Sequence, residues 1–320
     1  MVSNTWYNDF IDTLNKKFPK KTQLTQELMT LLGLEREAIY RRLRKDVLFS
    51  AEEVIKIATA WNISLDEITS INIEQFAFQM RLMNYQDPLK GELDLLKFII
   101  QSIKMLKKHP TTEIMHICNK FPRQLVVGFP YINQFYLFKW MYEYDCEKEV
   151  LPFSKISISN DKLKLTQDFQ KAVKYLPNNN FIWDSRIFEY LVNDIQYFHS
   201  IYLITDEEKE LIKNDLFKFL DYLLEVANKG CYPETGSKVN IFISQINIDT
   251  NYSYTFSPES KVCFVHVFEK FEIFSINSEM IDNFKTWMQL KKRTSVQISE
   301  VDERSRIEFF ATQRKWIESL

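Results

Sequence analysis

Apolar residues recur at three- and four-residue spacing along the opening stretch of the chain, the signature of amphipathic helices. Trp6, Phe10, Ile11, Leu14 and Phe18 share one side of a helix predicted over 3–18. Leu24, Leu28, Leu31 and Leu32 make the apolar face of the next, with Thr22 as its expected N-cap and Gly33 as the left-handed residue that ends it. The following helix buries Ile39 and Leu43 and turns Arg36, Glu37, Tyr40, Arg41 and Arg44 outward, while Arg42 lies near the edge of the buried stripe. Ser50 with Glu53, and Ser64 with Glu67, are capping boxes that mark two further helix starts. Residues 73–85 look helical, with Phe76, Met80 and Met83 on one stripe, and Asp87-Pro88 and Gly91 break that pattern. The spacing therefore predicts a domain over 1–70, a linker helix and break over 71–91, and a C-terminal region over 92–320.

From 92 to 229 the period stays mainly helical. Helices are expected over Glu92–Lys107, Tyr131–Tyr144, Lys164–Leu176, Asp184–Phe198 and Asp206–Lys229, with Lys120–Pro130 as a loop and Gly230 as a stop signal. Beyond Gly230 the period shortens. Val239–Ile248, Tyr252–Phe256, Val262–Val267, Glu272–Ile276 and Ser295–Ser299 are short and rich in β-branched and aromatic residues, as strands are. Helices return over Ser278–Lys291 and Glu303–Ile317. The expected fold class is mainly α with a smaller α+β C-terminal part: a helix-turn-helix domain, a helical middle region, and mixed strands and helices after about residue 239.

Three sequence blocks give the N-terminal domain its character: Thr22–Gly33, Leu34–Arg44 and Ser50–Ile68. Together they resemble the lambda-repressor-like, Xre-type helix-turn-helix domain over about residues 3–70, most closely in the Ile57-Ala58…Trp61…Ile63-Ser64-Leu65-Asp66-Glu67-Ile68 ending. Tyr40-Arg41-Arg42-Leu43-Arg44 is also similar to a group of Bacteroidetes regulators with a long C-terminal region. The resemblance implies a DNA-binding transcriptional regulator. In that fold the start of the second helix of the pair meets base edges in the major groove, which assigns base contacts to Arg36, Glu37, Tyr40 and Arg41. Phosphate contacts then fall to Thr22, Gln23, Thr25, Arg44 and Lys45. The family often carries a small residue where Met29 stands, and Glu-x-Gly where this chain has Arg44-Lys45-Asp46. Of those three, Asp tolerates a left-handed turn better than most residues.

Charge supports that reading through its distribution. The net charge is only −2, which argues against non-specific coating of nucleic acid. Between 16 and 45, however, nine cations face three anions, and between 46 and 70 only Lys56 opposes five acids. The basic end coincides with the presumed recognition helix. Cys118, Cys146, Cys231 and Cys263 lie far apart with no Cys-x-x-Cys, which fits reduced thiols better than a zinc site or a disulfide framework. The first residues lack the pattern of a signal peptide, and no apolar run reaches membrane-spanning length, so a cytoplasmic location without membrane contact is expected.

Catalytic signals are scarce. Gly33, Gly91, Gly128, Gly230 and Gly236 are too dispersed for a phosphate loop. No nucleophile elbow occurs, and His109, His116, His199 and His266 show no metal spacing, with His266 expected in the core. The chain is therefore expected to be no enzyme and to need no cofactor or metal. The aromatic run Tyr131, Phe135, Tyr136, Phe138, Trp140 and Tyr142 is either plain core or the lining of a ligand pocket. The arginines of 293–306 either bind an anion or pair with Glu300 or Glu303. Expected partners are double-stranded DNA, a second copy of the chain and a small-molecule or peptide effector. The rival reading is a protein-interaction factor whose helix-turn-helix does not bind DNA.

Overall fold

Leucine and aromatic stripes do what their spacing demands in the N-terminal unit, Met1–Ala77. The computed structural model describes residues 5–61, 63–65, 68, 79–80, 93, 96–97, 99–101, 103–104, 106, 109–144, 150–267 and 271–320. The helices with described bounds here are α1 (Thr5–Lys17), α2 (Lys21–Leu32), α3 (Arg36–Leu43) and α4 (Ala51–Trp61). Tyr7, Phe10, Ile11 and Leu14 of α1 close over Leu24, Leu28, Ile39, Val54 and Ile57, so α1 covers the core as its pattern predicts. Glu67 of the second capping box lies outside the described residues. The buried Tyr7 hydroxyl donates to Arg42 O at 3.1 Å and accepts from Phe49 N at 3.1 Å, tying α1 to the segment after α3.

The second unit, Phe78–Leu320, corrects the expected plan. It is not a helical middle followed by an α+β tail. Among the described residues one eight-stranded mixed sheet runs through it in the order β1-β7-β6-β5-β2-β3-β4-β8. The strands are β1 (Gln79–Met80), β2 (Glu113–Cys118), β3 (Asn178–Asp184), β4 (Lys238–Ser244), β5 (Tyr252–Phe256), β6 (Lys261–Val267), β7 (Phe271–Ser275) and β8 (Ser295–Gln297). β2, β3 and β4 are parallel, and all other pairs are antiparallel. Two of the parallel strands come from the stretch expected to be helical, because both are buried on both faces. Ile114, Met115, Ile117 and Cys118 of β2 are all buried, as are residues 179–184 of β3. Such strands lack the alternation that betrays a half-exposed strand. Asn178-Asn179-Asn180 also opens β3 against β propensity. Those amides are tied in place: Asn179 donates to Leu176 O at 2.9 Å, although its own buried oxygen has no partner, and Asn240 donates to Asn180 Oδ1 at 3.1 Å. Gln79 and Met80, expected in a linker helix, are instead a strand paired with Phe274 and Ile273; the remainder of 73–85 lies outside the described residues.

Helices cover the sheet. α5 (Arg123–Val126), α6 (Pro130–Tyr144) and α7 (Asn160–Lys174) join β2 to β3, while α8 (Ile187–Ser200) and α9 (Asp206–Lys229) join β3 to β4. With α11 (Glu303–Glu318) they bury Phe181, Trp183, Ile241 and the aromatics of α6. Phe135, Phe138 and Trp140 are buried, so this part of the aromatic run is core, while Tyr131 and Tyr136 are half-buried and Tyr142 is exposed. On the opposite face Ile281 and Met288 of α10 (Ser278–Leu290) pack on Met115, Ile117, Ile182 and Tyr254. The parallel strand ends are laced by side chains. Buried Asp184 accepts from Arg186 N at 2.9 Å and Ile248 N at 2.8 Å. Asn119 donates to Ile248 O, and Asn251 accepts from Asn119 N, both at 2.9 Å.

Two substitutions probe these supports. Buried Asp215 of α9 accepts from Tyr131 N at 2.7 Å and so caps α6 from a neighbouring helix. Asp215→Ala is expected to lower stability by about 1–3 kcal/mol, and Asp215→Asn by less, in chemical denaturation of the full chain. Gly230 ends α9 at φ +62°, and a Cβ there would lie 2.3 Å from Glu300 Cδ. Gly230→Ala should cost about 1–2 kcal/mol for the left-handed backbone alone, with Glu300 forced to move.

Candidate nucleic-acid interface

α2 starts two residues earlier than its pattern predicts. Lys20 occupies the N-cap in extended conformation with no side-chain cap, and Thr22 sits exposed in the first turn. Gln23 is exposed beside it. Thr25 faces inward, 2% exposed, with its hydroxyl donating to Lys21 O at 2.8 Å, so it leaves the expected phosphate-facing set. Gly33 ends the helix at φ 67°, its N–H donating to Met29 O at 2.9 Å, as expected for a left-handed stop. α3 begins three residues on.

Burial of Ile39 at 0% exposure sets the roll of α3. Arg36, Glu37, Arg41 and Arg44 then lie exposed, with Tyr40 half-buried. The guanidiniums differ in freedom. Arg36 donates to the Tyr40 hydroxyl at 3.3 and 3.1 Å, and its Cζ lies 5.4 Å from the ring centre. That hydrogen bond is the main reason the Tyr40 phenol is held below its ordinary value. Arg44 pairs with Glu37 at 3.0 Å and with Asp46 at 3.6 Å. Arg41 makes no hydrogen bond or ion pair through its side chain among the described residues. Arg42 faces the other way: it grips Glu53 through two nitrogens at 3.0 and 2.9 Å and donates to Ala38 O at 3.2 Å. This clamp is the contribution that sequence reasoning missed. Its signal was the ambiguous place of Arg42 on the helix wheel, eight residues before the Ser50 that opens a capping box. In that box Ser50 N donates to Glu53 Oε2 at 2.8 Å, and Glu53 N donates to Ser50 Oγ at 3.2 Å.

The turn after α3 puts Lys45, rather than Asp46, in the left-handed region, at φ 70°. Asp46 N reaches back to Arg41 O at 2.9 Å and Lys45 N to Arg42 O at 3.0 Å. This is the paired closure in which the residue after the C-cap must be left-handed. The C-cap is Arg44, so the role falls on Lys45. Its ammonium donates to Asn8 Oδ1.

Outside this surface the other sequence candidates disperse. Arg306 donates to Ile298 O at 2.9 Å, and Arg304 pairs with Glu308 at 2.8 Å. Ion pairing near 293–306 runs through Glu308, and among the described residues not through Glu300 or Glu303. His266 is half-buried on β6. His116 stacks on Phe181 with Gln124 Nε2 2.8 Å from its own Nε2; burial first, then the neighbouring His266, push its pKa down to about 3. Among the described residues no group of His, Cys, Asp and Glu could hold a metal, and no helix is long and apolar enough to cross a membrane. No family model, no curated protein and no solved structure matches the chain.

The clamp makes a pH prediction. Burial would raise the Glu53 carboxyl, but hydrogen bonds from Arg42 and Ser50 and the Arg42 charge outweigh it and hold its pKa below 4.5. Its stabilisation is therefore complete above that ordinary value and is lost as pH falls through the lowered one. Glu53→Gln should flatten the acid limb of the N-terminal unit's unfolding curve. Arg42→Ala should cost about 1–3 kcal/mol at neutral pH.

Proposed function

We propose that the chain is a sequence-specific, DNA-binding transcriptional regulator that works in the cytoplasm as a homodimer. Its N-terminal unit is a helix-turn-helix that lays α3 in the major groove. One observation carries this reading. α3 is locked to its own domain by Ile39 and the Arg42–Glu53 clamp, while Arg36, Arg41 and Arg44 face solvent from the opposite side. A rigid helix that presents several guanidiniums outward suits recognition of guanine edges, where arginine forms two hydrogen bonds at once.

Roles divide by freedom. Arg41 is unencumbered and reads a base. Arg36 is pre-aimed by Tyr40 and reads the neighbouring one, with Glu37 accepting from a base amine once Arg44 turns to phosphate. Thr22 and Gln23, on the first turn of α2, meet the backbone together with the amides of that helix end. Lys45 adds a phosphate contact. A two-fold dimer doubles a short readout across half-sites about 34 Å apart. The second unit supplies pairing, and senses an effector in a binding role without catalysis.

Selection of bound sites from a random DNA pool, followed by titration of the selected duplex, tests the proposal. Arg41→Ala should lose about 1–3 kcal/mol on the preferred site and relax the choice at one base pair. Lys45→Ala should weaken every duplex alike and flatten the salt dependence. A pool without enrichment, or one whose selected site is unchanged in both Arg36→Ala and Arg41→Ala, rules the reading out. Sedimentation with and without DNA should show a dimer at micromolar concentration.

A further inference from the structure

β8 closes one end of the sheet order with β4 as its neighbour, so its other side is a strand edge. The register says which backbone groups lie on that edge. Gln245 N donates to Thr294 O at 2.8 Å, and Ile298 N donates to Ile241 O at 2.9 Å. Thr294, Val296 and Ile298 therefore turn their backbone groups toward β4, and Ser295 and Gln297 turn theirs outward. Among the described residues no hydrogen bond reaches the outward N–H and C=O groups of Ser295 and Gln297. Such an edge is a template for another strand.

The chain carries opposite charge on the two sides of this edge. Lys291, Lys292 and Arg293 lead into β8, and Glu300, Asp302 and Glu303 follow it. The two lysines rest on aromatic rings rather than on carboxylates, Lys291 at 5.2 Å from the centre of Trp287 and Lys292 at 4.9 Å from that of Phe242. Arg293 and Glu303 are exposed, and among the described residues neither makes a hydrogen bond or ion pair through its side chain. Apolar side chains stand at both ends as well: Leu290 is 45% exposed and Val301 74%.

We propose that β8 pairs antiparallel with β8 of a second copy of the chain, across a two-fold axis at Val296. Ser295 of each copy then faces Gln297 of the other, and the two exchange both of their outward backbone hydrogen bonds. Val296 faces Val296, with Cβ atoms about 4.5–5.5 Å apart. The same axis brings the basic turn of each copy beside the acidic turn of the other, and Leu290 beside Val301. Parallel pairing would set like charges together. A slip of one residue would call on amides that β4 already holds. The charge pattern is thus complementary to itself in one direction and one register, which selects a second copy over an unrelated strand. The inference rests on the proposed dimer and names the surface that makes it.

The test uses the DNA-free full chain. Sedimentation equilibrium should give a dimer at micromolar concentration. Arg293→Glu, or Glu303→Arg, places like charges together at both ends of the two-fold pair, so each should weaken its own homodimer about tenfold at low salt. An equimolar mixture of the two variants should regain the native affinity, because each supplies the charge the other lacks. Val296→Cys should form a disulfide between copies under mild oxidation. Ile276→Cys, exposed just beyond β7, should not. A strict monomer overturns the proposal, as does a folded Val296→Cys chain that does not cross-link. Dimers unchanged in both charge variants, with no gain on mixing, also overturn it and leave pairing to another surface. Each of these outcomes is independent of whether α3 binds DNA.

Discussion

β3 has no wet side, and the second unit is arranged around that constraint. A parallel strand buried on both faces needs a layer of side chains above and below it. The connections that make β2, β3 and β4 parallel supply one layer, and their aromatics fill it. α10 supplies the other, arriving only after the antiparallel β5–β7 meander. Among the described residues α10 is the helix that packs on this face.

In the first unit the same logic acts on charge. Arg36, Arg41, Arg42 and Arg44 stand within nine residues of one another, and helix geometry gives each a different company. Arg42 turns inward, where a forked pair with Glu53 is worth more than an exposed one. The pair joins α3 to the capped start of α4, so one carboxylate fixes both the end of a turn and the roll of a helix. The other three stay outside because Ile39 is inside.

How much was legible in the sequence follows from burial. Helices with one wet face declared themselves: α9 was expected over Asp206–Lys229 and is found there. β5 likewise matched its pattern at Tyr252–Phe256. Gly33 as a stop signal and Ser50 with Glu53 as a cap were readable because each is a local device, closed within a few residues. β2 and β3 were not, since two-sided burial erases the period, and three asparagines disguised the start of β3. Within the candidate interface the outward residues of α3 followed from its wheel. The inward turn of Thr25, the clamp and the left-handed Lys45 did not, because each depends on where a helix begins or ends to within one residue.

Asp184 gives the last consequence. In open sheets of this kind the carboxyl ends of parallel strands usually offer free amides to a ligand. Here the amides that follow β2, β3 and β4 at Asn119, Arg186 and Ile248 are already taken by Asn251 and by Asp184. The loops beyond three neighbouring strands are sewn together by their own side chains. That edge works as a hem that keeps the sheet from fraying, and recognition is left to surfaces the hem does not bound.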